Sequence, residues 1–178
     1  MKNNLTQKTS PLPHNDVDSL HGWICKHPYF SEVADEVFHV IYRSFRVAED
    51  IHRNDTRKDG SPYIFHPIRL VQSMVEKYPD IADPEDSIVL ILHDTIEDHP
   101  DCWWQILSLF GVKTFTSVLI LSKISESTRK EILEWFVHNI NPDDPDITIL
   151  LQILSPLDPI KKFHNFSKYT EDILGKNS

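Results

Sequence analysis

Apolar residues recur at helical spacing along most of the chain, and this periodicity limits the fold more than any other feature. The segment from Ser31 to about Arg53 is one example, because its apolar residues follow the spacing of a helix face: Val33, Val37, Val40, Ile41, Phe45, Ala48 and Ile51. Ser31 is a favourable N-cap for this helix. No stretch alternates apolar and polar residues for long enough to predict a sheet. The sequence therefore predicts an all-α fold of about seven or eight helices.

Proline and glycine residues mark the ends of the later helices. A second helix is predicted to start near Pro67 and to end at Tyr78. The string Asp83-Pro84-Glu85-Asp86 has the cap, the early proline and the acidic first turn of a helix start. Gly111 is predicted to stop a short helix that starts at Asp101. Two further helices follow in the prediction: Phe115 to Ile124, and Ser127 to about Ile140.

The length of 178 residues fits one domain with a sizeable core. Residues 1–18 are polar and contain two prolines, so we predict a flexible lead there. We expect residues 19–178 to form a single helical domain. Its part from about residue 141 is atypical, because prolines interrupt the apolar pattern.

Composition excludes several classes of function. The chain has 18 Lys and Arg residues against 27 Asp and Glu residues, a net charge of −9, which argues against a nucleic-acid binder. The 4 glycines lie too far apart for a dinucleotide-binding or P-loop motif. No apolar run approaches the length of a membrane span, and the N-terminus does not resemble a signal peptide. With two isolated cysteines, Cys25 and Cys102, these features predict a cytoplasmic protein.

The strongest candidate for chemistry is a cluster of one histidine and three acids after the apolar run Ile88–Leu92. If the helix continues, His93 lies over Glu97, and Asp94 lies over Asp98. A divalent cation would compensate this charge, and imidazole with carboxylate favours manganese, iron or zinc. The simpler alternative is a solvated helix end. However, acids are unfavourable at a helix C-terminus.

Three strings extend this pattern: RKDGSPYIFHP, LILHDTIEDHP and SLFG. Together they resemble the HD-type hydrolase domain of RelA/SpoT proteins, and above all the small single-domain alarmone hydrolases. The resemblance runs from about Ala48 to Lys123. It implies an all-α HD-domain helical bundle.

The resemblance also implies roles for five residues of the acidic cluster and its upstream string. His66, His93 and Asp94 match the residues with which the family binds Mn²⁺. Glu97 and Asp98 match the pair that acts on the attacking water. A cation lowers the pKa of bound water, and a neighbouring carboxylate can accept the proton, so the two roles are chemically consistent.

Arg57 and Lys58 match the family's pair that contacts the guanosine nucleotide. The implied reaction removes the 3′-pyrophosphate of (p)ppGpp, the alarmone of the stringent response, and leaves GDP or GTP and pyrophosphate. An arginine suits this role because it can fork across phosphate oxygens. His52 is expected to pack or hydrogen-bond near the site, and Tyr63 to line the core or a pocket.

The family's fourth metal ligand has no clear counterpart. Asp158 lies at the right distance from the His-Asp pair, but Pro156 and Pro159 flank it. Either Asp158 is the ligand, or the chain ends before the ligand helix. The second possibility leaves open a catalytically impaired HD protein that binds a nucleotide or a protein partner. An all-α module whose acidic face binds a basic protein is a third possibility.

Overall fold

A computed structural model of the chain describes residues 16–78, 82–139, 150 and 153–154. These residues form eight α-helices and one short 3-10 helix. Within the same ranges β pairing is limited to an isolated bridge between Thr56 and Pro62. The predicted all-α fold is confirmed.

The chain divides into two compact units, Met1–Leu92 and His93–Ser178. The first unit contains five helices: α1 (Val17–Lys26), α2 (Pro28–Ser31), α3 (Asp35–Ile51), α4 (Phe65–Lys77) and α5 (Pro84–Leu92). The second contains α6 (Thr95–Asp98), the 3-10 helix (Pro100–Cys102), α7 (Trp103–Leu121) and α8 (Glu126–Asn139). The single domain expected from residue 19 onward stays a prediction.

The first helix begins inside the segment that the sequence assigns to a flexible lead. Asp16 is the N-cap of α1, and its side chain accepts a hydrogen bond from the amide of Asp18 at 3.1 Å and another from the Ser19 hydroxyl. An Asp cap satisfies an amide that the first helical turn leaves unpaired. The helix therefore starts at Val17.

The predicted role of Ser31 as the N-cap of a long helix is wrong. Ser31 is the last residue of α2, where its hydroxyl donates to the carbonyl of Pro28 at 2.8 Å. Pro28 occupies the first position of that short helix, where a missing amide costs little. The long helix α3 starts later, with Asp35 and Glu36 in its first turn, where acidic charge is favourable.

Helix α5 packs against α3 and α4 within the first unit. Asp83 caps it as predicted, accepting from the amide of Glu85 at 2.8 Å. The buried side chains of these three helices form the core: Ile41, Phe45, Ala48, Ile68, Val71, Ile88, Ile91 and Leu92. The prediction of a central apolar helix is confirmed.

Helix α7 is interrupted at Gly111, whose φ of 76° and ψ of 174° are not helical. A residue with a side chain would be strained at this positive φ. The predicted stop at Gly111 is therefore confirmed as a break, after which the helix resumes at Val112 and ends at Leu121.

The segment Pro100–Leu121 has the length and apolar composition that could cross a membrane. A core helix of a globular unit can have the same composition. Six side chains of α7 are buried: Trp103, Ile106, Phe115, Thr116, Val118 and Leu119. The prediction that no segment spans a membrane stays a prediction.

Aromatic side chains join α7 to α8 in the second unit. The rings of Phe115 and Phe136 stack with centroids 6.0 Å apart. The indole of Trp103 donates to a carboxylate oxygen of Glu131 at 3.0 Å. This bond satisfies the polar end of a buried tryptophan while its ring fills the core.

His27 is a buried histidine of the first unit that lies between Trp23 and Phe30, with ring centroids 4.6 Å and 5.6 Å away. Among the described residues neither of its ring nitrogens has a hydrogen-bond partner. Burial lowers the pKa of His27 below its usual 6.5, although the charge of Glu76 acts in the opposite direction. The imidazole is therefore neutral in the folded protein at neutral pH.

Because the unfolded chain binds a proton more readily at His27, acid should destabilise the fold. The contribution is fully present above about pH 6.5 and is lost as the pH falls below that value through the lowered pKa. We measure the free energy of unfolding in urea at about pH 7.5 and pH 5.5. Between these two pH values we expect His27→Leu to lose less stability than wild type does, and the difference should be at most about 1.4 kcal/mol. His39→Leu, at an exposed histidine of α3, is the control. An unchanged pH dependence in His27→Leu would contradict this account.

Candidate active site

Arg57 and Lys58 lie in the loop that joins α3 to α4. The Arg57 amide donates to the Ser61 carbonyl at 2.8 Å, and the Gly60 amide donates to the Arg57 carbonyl at 2.8 Å. These bonds close a four-residue turn in which Gly60 has a φ of 81°. Both predicted substrate residues are exposed on this turn.

Asp59 stabilises the same turn from within. One of its carboxylate oxygens accepts from the Ser61 hydroxyl at 2.6 Å and from the Ser61 amide at 3.0 Å. Both hydrogen bonds lower the pKa of Asp59, and the bond from the Ser61 hydroxyl has the larger effect. Its carboxylate accepts from Ser61 and is ionised, so the turn carries the two cations Arg57 and Lys58 against one acid.

Two other arginines of the first unit are paired with acids. Arg46 donates to Glu49 at 2.7 Å, and Arg53 pairs with Asp50. These residues line a pocket of about 240 Å³ in which acids balance the guanidinium groups. The contrast indicates that the turn with Arg57 carries a net positive charge, which suits a phosphate.

Tyr63 is the centre of an aromatic group in the same loop. Its ring stacks on His52 with centroids 4.4 Å apart and meets the ring of His66 edge to face at 5.7 Å. The guanidinium carbon of Arg57 lies 5.8 Å from its centroid, within reach of a cation–π interaction. Tyr63 thus contacts both a predicted metal ligand and a predicted substrate residue.

His52 is buried, and its Nδ1 lies 2.7 Å from a carboxylate oxygen of Asp55. The expectation that it packs and hydrogen-bonds near the site is confirmed by this pair and by the stack on Tyr63. The sequence reasoning did not single out Asp55. The spacing of three residues between the histidine and the aspartate was the available signal.

His93 and Asp94, the first residues of the second unit, are the pair that the sequence predicts as metal ligands, and we call them the ligand pair. Nε2 of His93 lies 2.9 Å from Oδ2 of Asp94, and both side chains are half-buried. Two ligand atoms that each lie about 2.1 Å from one cation, with a right angle at the cation, are about 3 Å apart. The pair could therefore supply one nitrogen and one oxygen ligand to the same ion.

The predicted continuous helix through His93, Asp94, Glu97 and Asp98 is wrong. Residues 93–94 form a turn, and the helical backbone starts again at Thr95. Thr95 and Ile96, which follow this turn, are completely buried. A straight apolar helix with an acidic end would not require their burial. The amide of Asp98 still donates to the Asp94 carbonyl at 2.9 Å, so these two residues remain one turn apart.

Glu97 and Asp98 lie on α6 in different surroundings. One carboxylate oxygen of Glu97 accepts from the main-chain amide of Lys123 at 2.7 Å. Asp98 is exposed. The sequence reasoning did not single out Lys123, because its contact with Glu97 spans 26 residues of the chain.

Cys102 lies next to this group, where its thiol donates to the Thr95 carbonyl at 3.4 Å. Burial raises the pKa of Cys102 to about 11. The thiol is therefore protonated at neutral pH and unsuited to act as a nucleophile. Asp158, the alternative fourth ligand, lies outside the described residues.

Comparison with known proteins agrees with the resemblance in the sequence. The chain is 29% identical over 147 residues to guanosine-3′,5′-bis(diphosphate) 3′-pyrophosphohydrolase of Aquifex aeolicus. The matched region covers 78% of this chain and 20% of that protein. It is 33% identical over 84 residues to the bifunctional (p)ppGpp synthase/hydrolase SpoT of Escherichia coli, covering 47% and 12%. A GTP pyrophosphokinase of Streptomyces coelicolor is 41% identical over 58 residues, covering 33% and 6%.

These relatives confirm the similarity to RelA/SpoT-type proteins, among which 3′-pyrophosphohydrolases recur. The chain spans a fifth or less of the length of the three relatives. No family model matches the chain, and no solved structure matches it.

Gly60 gives the turn at Arg57 a test that needs no substrate. Gly60→Ala should lower the free energy of unfolding by about 1 kcal/mol, because alanine is strained at positive φ. Gly60→Asn should cost less, since asparagine tolerates this conformation better. Urea unfolding of both variants measures the difference. Equal stability of Gly60→Ala and wild type would show that the positive φ is not required.

Proposed function

We propose that the chain is a divalent-metal-dependent hydrolase that removes the 3′-pyrophosphate from ppGpp or pppGpp. The observation that carries the proposal is the ligand pair of His93 and Asp94 beside the two carboxylates of α6. The similarity to proteins named 3′-pyrophosphohydrolases supports the choice of substrate. The products would be pyrophosphate and GDP or GTP.

The metal ligands in this proposal are His66, His93 and Asp94. Imidazole nitrogen with carboxylate oxygen suits Mn²⁺, Fe²⁺ or Zn²⁺ better than an all-oxygen site for Mg²⁺ or Ca²⁺, and we propose Mn²⁺. A bound cation would offset the negative charge of the phosphates and lower the pKa of water. His66 lies at the start of α4, where its amide donates to the Tyr63 carbonyl at 2.8 Å.

Arg57 and Lys58 would bind the nucleotide. Their turn is held by Asp59 and Gly60, so the two charges are presented from a fixed backbone. A preorganised guanidinium can form two parallel hydrogen bonds with phosphate oxygens. The contact with Tyr63 restricts the orientation of Arg57 before the substrate arrives.

Glu97 would orient the attacking water and accept its proton, with Asp98 assisting on the same short helix. One of the two carboxylate oxygens of Glu97 accepts a hydrogen bond from the Lys123 amide. The other oxygen can then accept a proton while the plane of the group stays fixed. We also propose a cytoplasmic location, which the two free thiols Cys25 and Cys102 favour.

The experiment that tests this function compares Asp94→Asn with Glu97→Gln. We expect Asp94→Asn to lose Mn²⁺ binding, because it removes an anionic ligand, and therefore to lose turnover. Glu97→Gln should keep the metal and lose about 100-fold or more in kcat, since it can no longer accept a proton. Metal titration by calorimetry and separation of ppGpp, GDP and pyrophosphate measure the two effects. Equal loss of metal in both variants would show that the roles are wrongly assigned.

A second comparison tests the nucleotide-binding turn. Arg57→Ala should raise the KM for ppGpp about tenfold or more, because it removes charge-assisted bonds to phosphate. Arg43→Ala, at another exposed arginine of the first unit, removes the same charge and should leave KM unchanged. If both variants raise KM equally, the effect is one of net charge, and the specific role of Arg57 is wrong.

A further inference from the structure

The side chain of Glu97 is held by the main chain of a residue far away in sequence. Its Oε2 accepts from the Lys123 amide at 2.7 Å, the length of a strong, charge-assisted hydrogen bond. Helix α6 has only 4 residues, and so short a helix has little stability of its own. The orientation of Glu97 must therefore come from contacts outside α6.

Ser122, the residue before Lys123, contacts the turn at residues 93–94 that precedes α6. The Ser122 hydroxyl donates to the His93 carbonyl at 2.9 Å and also lies 2.8 Å from the Val118 carbonyl. Two consecutive residues, Ser122 and Lys123, thus contact the backbone of His93 and the carboxylate of Glu97. We refer to Ser122 and Lys123 as the α7 clamp.

The α7 clamp is attached to a well-packed element. It follows the last turn of α7, in which Val118 and Leu119 are buried, and the Ser122 amide donates to the Val118 carbonyl at 3.1 Å. The φ and ψ of Ser122, −88° and 140°, are extended and direct the next amide away from the helix. The Lys123 amide is therefore available to Glu97 because α7 ends at Leu121.

We propose that Lys123 is a positioning residue, whose main-chain amide holds Glu97 in the orientation that proton transfer requires. The inference deepens the proposed function and rests on it, since Glu97 is the residue through which Lys123 acts. The Lys123 side chain is exposed and takes no part. The role thus depends on the backbone at position 123 and not on the side chain.

This dependence gives a matched pair of variants. Lys123→Pro removes the amide proton, and the extended conformation of Ser122 is the one that a following proline favours. Lys123→Ala removes the side chain and keeps the amide. We expect Lys123→Pro to lower kcat about tenfold or more, with KM for ppGpp and Mn²⁺ affinity within about twofold of wild type. Lys123→Ala should retain wild-type kcat. Equal activity of the two variants would overturn the inference.

A second measurement does not depend on activity or on the folding of the proline variant. Amide hydrogen exchange of Lys123, followed by NMR in the full chain loaded with Zn²⁺, a diamagnetic substitute for Mn²⁺, should be about tenfold or more faster in Glu97→Ala than in wild type. Asp98→Ala is the control, because it removes a neighbouring carboxylate and leaves the acceptor in place. An unchanged exchange rate in Glu97→Ala would overturn the inference.

The two readouts separate the inference from the proposed function. If wild type does not hydrolyse ppGpp, the proposed function fails, and with it the catalytic purpose assigned to the α7 clamp. If wild type is active and the amide of Lys123 exchanges equally in all proteins, the function stands and the clamp fails. Activity with a selective loss in Lys123→Pro supports both.

Discussion

Four acids lie within eight residues after α5, and the structure of this segment depends on how their charge is compensated: Asp94, Glu97, Asp98 and Asp101. The end of α5 does not supply this compensation, because a helix C-terminus is itself negative, whereas Glu97 and Asp98 lie in the first turn of α6, where negative charge is favourable. The chain instead turns at residues 93–94, so that Asp94 meets an imidazole and Glu97 meets a main-chain amide, while Asp98 and Asp101 face water. The same turn allows Ile96 to enter the core. Burial of apolar surface and solvation of charge are thereby satisfied in one short segment.

The first unit, in contrast, exposes positive charge at the turn with Arg57 and Lys58. Two other exposed arginines, Arg46 and Arg53, lie beside acids at helical spacing and are paired with them. In the turn at Arg57, two cations, Arg57 and Lys58, stand against one acid, Asp59, which is ionised and accepts from Ser61. Net positive charge that is held by a fixed backbone is suited to bind an anion with little reorganisation. The binding role proposed for this turn follows from that arrangement and from the predictions made above.

Helices and their proline or aspartate starts could be predicted from the sequence, because those signals are local. The Asp83 cap and the break at Gly111 are examples. Ser31 misled the prediction because a good capping residue can also end a preceding turn. The break at His93 was missed for another reason: helical periodicity continues through it, because Ile96 is buried like Leu92, and neither glycine nor proline marks the turn. Side-chain partners from distant segments, such as Lys123 for Glu97, leave no local pattern to detect.

Glu97 and Asp98 carry the same carboxylate group on one short helix, and the roles that we propose for them differ because their surroundings differ. Environment decides which carboxylate serves as a base, since an orientation must be held while a proton is transferred. Glu97 is half-buried and hydrogen-bonded to a rigid backbone, so its orientation is restricted before water arrives. Asp98 is exposed and must be ordered by water or substrate, at an entropic cost. The proposed division of roles between the two therefore originates at the end of α7, where the Lys123 amide, which follows the last helical turn, donates a hydrogen bond to the Glu97 carboxylate.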